Sequence, residues 1–149
     1  WLIGGGGFTI DNTDAAFGYS VVSDGSDIDE GTGFNYLCPD STLAHHLGHN
    51  MGQQHNVEDS GGSSGTHAYA YGYRESSSTG FYTIMAERLP NSSQYAINHF
   101  ANPAVNYANT GRPTGTATAN NARSLDLSMP LVAMFRERPD MLFVNGFEE

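Results

Sequence analysis

Three histidines at positions 45, 49 and 55 set the tightest limit on how this chain can fold. They lie in the run His45-His46-Leu47-Gly48-His49-Asn50-Met51-Gly52-Gln53-Gln54-His55. On a helix, residues i and i+4 share one face, so His45 and His49 can reach a single metal ion. Gly52 can then take a positive φ, end the helix and turn the chain so that His55 brings a third nitrogen. Three protein ligands with a fourth position open is the arrangement of a catalytic zinc site, whereas structural zinc sites are closed by four.

The flanking residues fit a helix over 41–51. Pro39-Asp40-Ser41-Thr42 offers N-cap residues ahead of it. Leu43, Ala44, Leu47 and Met51 recur at helical spacing, so an apolar face is expected to pack inward while the histidines face a cleft. Gly48 costs a helix about 1 kcal/mol relative to Ala. Its presence predicts a close approach by another backbone. Downstream, Phe81-Tyr82-Thr83-Ile84-Met85-Ala86 places Met85 as one of 5 methionines, which by itself reads as core filling.

Charge excludes whole classes of partner. The chain has 149 residues, 16 acidic and 6 basic, for a net charge of −10. Nucleic acid and anionic membrane surfaces both require basic patches, so neither is expected as a partner. No run of 18 apolar residues is present to span a bilayer. Asp24, Asp27, Asp29 and Glu30 form an acidic loop without calcium-loop spacing and read as a solvated turn. His67 and His99 match no ligand spacing and read as structural histidines.

Residues 1–37 read as strands and Gly-rich turns, with the alternation of Phe17, Tyr19 and Val21 suiting an edge strand. Residues 56–66 have the composition of a loop. His67–Tyr73 alternates small and aromatic residues, which predicts a short strand paired near Phe81–Ala86. Residues 90–119 are loop-rich. Residues 120–138 read as a terminal helix, with Ala122, Leu125, Met129 and Val132 at helical spacing and a start or kink at Pro130. Residues 139–149 form a short apolar tail.

The histidine run resembles the metzincin zinc-protease signature H-E-x-x-H-x-x-G-x-x-H, with His46 where the glutamate stands. Phe81–Ala86 resembles the Met-turn of that clan, in which a methionine lies beneath the three histidines; here that is Met85. Further likenesses are Trp1–Gly4 and Phe17–Val22 to the last strands of the upper subdomain, and Asn98–Pro103, Gly111–Gly115 and Asn120–Arg136 to the C-terminal half. Together they resemble secreted bacterial metzincins of the reprolysin (adamalysin) group.

The resemblance implies an α+β, metzincin-like (zincin) catalytic domain over residues 1–138. Its parts would be a remnant twisted sheet, a zinc-binding helix, a Met-turn and a C-terminal helix. An N-terminal part of the upper subdomain is expected ahead of Trp1, which opens in mid-run of apolar residues. The implied cofactor is Zn2+, held by His45, His49 and His55. The implied partner is a protein or peptide substrate in extended conformation, paired to an edge strand, and the implied protein is a secreted, extracellular monomer. Ala86, Glu87, Arg88 and Leu89 would border the specificity pocket. Cys38 would pair with a cysteine upstream of Trp1, or remain a buried thiol.

His46 is the one departure, and it occupies the catalytic position. The glutamate there takes a proton from zinc-activated water and passes it to the leaving amine, a role worth about 10²–10⁴ in rate. Three readings of His46 are open. It can serve as a weak substitute base, swing onto the metal as a fourth ligand, or stand idle. The function expected is a zinc-dependent metalloendopeptidase impaired at the general base. The alternative is a catalytically inactive zinc-binding pseudoprotease or peptide-binding module.

Overall fold

Among the described residues Phe81 and Met85 are the largest apolar side chains fully withdrawn from solvent. The computed structural model describes residues 41–135 in full, the backbone of 26–28, 35–37 and 136, and Asp14, Gly18 and Ser20. The expectations for strands at Trp1–Gly4 and Phe17–Val22, for Cys38 and for the tail 139–149 fall wholly or largely outside the described residues.

The class is α+β, with two helices and short strands. In chain order these are β1 (Ser26–Ile28), β2 (Asn35–Leu37), α1 (Thr42–Asn50), β3 (Phe81–Tyr82), β4 (Tyr95–Ala96), β5 (Asn106–Tyr107), β6 (Arg112–Pro113) and α2 (Asn121–Ala133). A 3-10 turn, Met134–Arg136, follows α2. Among the described residues the strands pair only two by two: β1 with β2 antiparallel, β3 with β4 parallel, β5 with β6 antiparallel. Neither described helix is long and apolar enough to cross a membrane.

α1 begins and ends as the sequence predicts, with two differences. Ser41 is the N-cap residue, but its side chain makes no capping hydrogen bond. The apolar stripe is also not buried: Leu43 is 53% and Leu47 42% exposed, whereas Gly48 and Asn50 are the buried residues of the helix. The inward face is set by what α1 must touch. Gly48 meets Met85, and Asn50 Nδ2 donates to Ser20 Oγ at 2.9 Å. Leucines at 43 and 47 fall on the other side.

The C-terminus of α1 is a Schellman motif. The N–H of Gln53 donates to Gly48 O and that of Gly52 to His49 O, both at 2.9 Å, with Gly52 at φ 76°. The left-handed residue reverses the chain at little steric cost because glycine has no Cβ. Gln54 then pairs with Tyr71 in a single parallel bridge.

The strand expected over His67–Tyr73 does not form. Ala70 N–H is taken by His67 O at 2.9 Å, which closes a turn. Only Tyr71 and Arg74 make isolated bridges, the latter to Tyr82. Within His67–Tyr73 the expected pairing beside Phe81–Ala86 is carried by Tyr73, whose N–H donates to Thr83 Oγ1 and whose carbonyl accepts the Thr83 N–H, both at 2.9 Å.

α2 starts at the predicted place. Asn120 caps it by accepting the N–H of Arg123 at 3.1 Å. Pro130 lies inside the helix, three residues from its end. Its buried face differs from the apolar pattern read in the sequence: Asn121, Ser124, Leu125 and Ser128 are buried, while Met129 is 45% exposed. Small polar residues line this face because the element opposite is itself polar. Gln53 Nε2 donates to Ser124 Oγ at 2.9 Å, and Asn121 Nδ2 donates to Gln53 Oε1 at 3.1 Å.

Candidate metal centre

The spacing of the three histidines becomes a converging triangle. His45 and His49 project from one face of α1, and the turn at Gly52 returns His55 to them. The Nε2 atoms lie 3.1 Å apart for His45–His49, 3.1 Å for His49–His55 and 3.2 Å for His45–His55. Two bonds of about 2.0–2.1 Å from one tetrahedral zinc would hold nitrogens about 3.3 Å apart.

The opposite side of each ring decides what those nitrogens carry. His45 Nδ1–H donates to Ile84 O at 2.7 Å, and His49 Nδ1–H donates to Gln53 O at 2.9 Å. A carbonyl oxygen only accepts, so each Nδ1 bears a proton and each neutral ring presents a bare lone pair at Nε2. His55 Nδ1 lies 3.2 Å from Glu87 Oε1, and the carboxylate's charge favours a proton on that nitrogen. Three lone pairs aimed at one another repel, and the short N···N distances cannot be hydrogen bonds when none of the nitrogens carries hydrogen. A shared cation removes the conflict. Among the described residues this trio is the group of side chains that could hold a metal ion.

The surroundings of His49 and His55 favour their neutral forms. Burial, reinforced by the charge of His45, pulls His49 down to about 4. Burial also lowers His55, again helped by His45 and opposed by Glu87 and Asp59. A metal ligand must be deprotonated, so depressed values reduce competition from protons near neutrality.

Met85 lies against the helix that carries His45 and His49. It follows Ile84, whose carbonyl fixes His45, in a turn closed by Ala86 N–H to Thr83 O at 2.9 Å. A β-carbon on Gly48 would stand 2.3 Å from Met85 Sδ. The close approach inferred at Gly48 is thus made by a side chain, not by a backbone as the sequence reading had it.

His46 stands beside the triangle rather than in it. Its ring centre is 5.6 Å from that of His45 and 6.5 Å from that of His49. Burial, then the charge of His45, lowers its pKa below the usual 6.5. His67 and His99 are elsewhere in the fold. His67 stacks on Tyr69 with ring centres 5.4 Å apart and shares a hydrogen bond with Ser124 Oγ at 2.9 Å, and His99 packs edge-on to Tyr107.

Sequence reasoning missed the groups that hold these histidines from behind. Gln53 supplies its carbonyl to His49 and its 2%-exposed side chain to α2. Asn56, 1% exposed, accepts the N–H of Glu87 at 3.0 Å and donates to Glu58 and Asp59 at 2.8 Å each. Adjacency to the ligand run was the only signal that could have found them.

Comparison with known proteins agrees with this geometry. The chain matches the metallo-peptidase family M12B, reprolysin-like, over residues 1–120. It is 35% identical over 98 residues, 64% of its own length, to a peptidyl-Asp metalloendopeptidase of Stenotrophomonas maltophilia (strain K279a). The match covers 22% of that relative, so the chain spans about a fifth of its length. No solved structure matches the chain. With a family match running through the three converging imidazoles and the turn that carries Met85, the chain belongs to the reprolysin-like metallo-peptidases of family M12B.

Proposed function

We propose that the chain carries the centre of a zinc-dependent metalloendopeptidase of the metzincin type, with His45, His49 and His55 as zinc ligands, Met85 beneath them and proton transfer impaired at His46. The observation that carries this reading is the triangle of Nε2 atoms, 3.1 to 3.2 Å on a side. Imidazole donors suit zinc, and three of them leave a tetrahedral position open. Zinc so held supplies Lewis acidity toward a water molecule and a substrate carbonyl.

The protein's own groups do the rest. Ile84 O, Gln53 O and Glu87 orient the three rings. Position 46 directly follows the first ligand, where a proton acceptor serves both water and leaving amine. Burial and the neighbouring His45 make the imidazole at position 46 less basic than a free histidine. The rate loss expected at this step is about 10²–10⁴ relative to a carboxylate. The lack of a carboxylate at position 46 favours a second reading, a zinc-binding pseudoprotease that holds peptides without turning them over.

The family implies protein or peptide substrates. Since the relative is named a peptidyl-Asp metalloendopeptidase, peptides containing aspartate are the first substrates to offer. In this reading residues 1–138 form one catalytic domain, residues 139–149 a tail, and the protein acts as a secreted monomer on extended chains.

Protein purified without chelator should contain one zinc per chain. It should cleave a quenched Asp-containing peptide slowly, and chelation should stop it. His46→Glu should raise the rate about 10²–10⁴-fold. Peptide binding with no turnover, converted to turnover by His46→Glu, would select the pseudoprotease. Absence of zinc would overturn both readings.

A further inference from the structure

The three imidazoles are not anchored alike. His45 and His49 donate to main-chain carbonyls, those of Ile84 and Gln53. His55 lies beyond the end of α1 and is held by a side chain, the Glu87 carboxylate at 3.2 Å. We infer that Glu87 is a positioning residue for the metal, fixing the tautomer and direction of His55 from a clamp built by Asn56 and Arg74. This role rests on the metal centre proposed above and extends it to a residue outside the ligand set.

The clamp holds the Glu87 main chain at two points and leaves its carboxylate facing His55. Its N–H donates to Asn56 Oδ1 at 3.0 Å. Its carbonyl accepts from Arg74 Nη1 at 3.2 Å. Its carboxylate meets His55 Nδ1. Asn56 and Arg74 are in turn fixed by one another's partners. Asn56 Nδ2 donates to Glu58 Oε2 and Asp59 Oδ2, both at 2.8 Å, and Arg74 Nη1 donates to the same Asp59 oxygen. The Arg74 side chain is only 8% exposed, so its position is set by packing as well as by charge.

The geometry gives Glu87 a distinct task. The segment 55–59 leaves the Schellman turn without a helix to orient His55, and residues 86–88 leave the Met85 turn without a strand. Asn56 and Arg74 join these two irregular segments, and the join places a carboxylate behind the third ligand. A carboxylate behind an imidazole aligns the ring and raises its basicity toward a metal. The Glu87 carboxylate is 56% exposed, so water screens part of its charge. The expected effect therefore lies toward the lower end of the 10–100-fold range typical for such partners.

The test is metal affinity of the full chain, measured by competition with a chromophoric chelator, alongside the visible spectrum of the cobalt(II)-loaded protein. Glu87→Gln keeps the size and one acceptor oxygen but removes the charge. It should bind zinc about 10-fold more weakly and shift the cobalt bands, with an unchanged thermal melt before metal is added. Glu87→Asp, which retains the charge on a shorter stem, should recover part of the affinity. If the chain binds one metal and Glu87→Gln binds it as tightly with an identical cobalt spectrum, the role is refuted while the metal centre stands. If Glu87→Gln fails to fold, Glu87→Asp decides, since the role requires its cobalt spectrum to differ from that of the unmodified chain. An unmodified chain that binds no metal removes the centre itself and this role with it.

Discussion

Gly48 and Met85 occupy the same space: a β-carbon on Gly48 would lie 2.3 Å from Met85 Sδ and 3.2 Å from its Cε. Met85 is fully buried, and Phe100 Cε1 stands 3.4 Å from the same point, so the thioether has little room to withdraw. The helix thus gives up the propensity of an ordinary residue to let the methionine pack against it.

Gly48→Ala should therefore destabilise the protein, although alanine is the better helix former. The helix term favours the variant by about 1 kcal/mol, while forcing a methyl group into a filled core costs about 1–3 kcal/mol. In a Met85→Ala background the obstruction is gone, and the same change should be neutral or stabilising. Urea denaturation of the four proteins of this cycle measures the coupling. Equal effects of Gly48→Ala in both backgrounds would show that the two residues do not compete.

Gly52 turns the chain toward His55, and its φ of 76° is poorly tolerated by residues with a β-carbon. Gly52→Ala should cost about 1–2 kcal/mol. Gly52→Asn should cost less, because asparagine tolerates the left-handed region. The distinguishing expectation concerns metal. Since Gly52 aims His55, zinc affinity should fall in the order Gly, Asn, Ala, whereas a purely global loss of stability would leave the affinity of the folded fraction unchanged.

The ligand run was legible in the sequence because its information is local. Residues i and i+4 of one helix and a glycine at its end depend on few other parts of the chain, so His45, His49, Gly52 and His55 could be placed from spacing alone. The cap at Asn120 was legible for the same reason. The buried faces were not. Leu43 and Leu47 obey helical periodicity yet are exposed, while Asn121, Ser124 and Ser128 break the apolar pattern yet are buried. Periodicity assumes that the element opposite is apolar, and here it is Gln53. The strand expected at His67–Tyr73 failed through a turn that alternation cannot reveal. Glu87 and Asn56 depend on two irregular segments meeting, which no local pattern encodes.

Gln53 joins the ligand helix to α2, and its removal should be felt at both ends. Gln53→Ala leaves Asn121 Nδ2 and Ser124 Oγ buried with fewer partners, and unsatisfied buried groups cost about 1–3 kcal/mol. The His49 anchor, a main-chain carbonyl, remains in the variant but is less firmly placed. Stability should drop by about 2 kcal/mol, with a smaller further loss when Ser124→Ala is added, since the two changes break the same contact. Additive losses in chemical denaturation would show that the contact is not shared.

Acidification should weaken the chelated, metal-free protein through His49. Burial and the charge of His45 hold that ring at about 4 in the folded chain, against 6.5 in its ordinary state. The unfolded chain therefore binds the proton more readily. Stability from this group is complete above about 6.5 and is lost as pH falls toward about 4. Between these values the urea midpoint should decline with pH, and His49→Gln, which cannot titrate, should show a shallower decline. Saturating zinc should hold the midpoint steady to lower pH, because ligand binding to the folded state alone adds stability until protons displace the metal. A midpoint that rises on acidification, or an equally steep decline in His49→Gln, would assign the pH response to other groups.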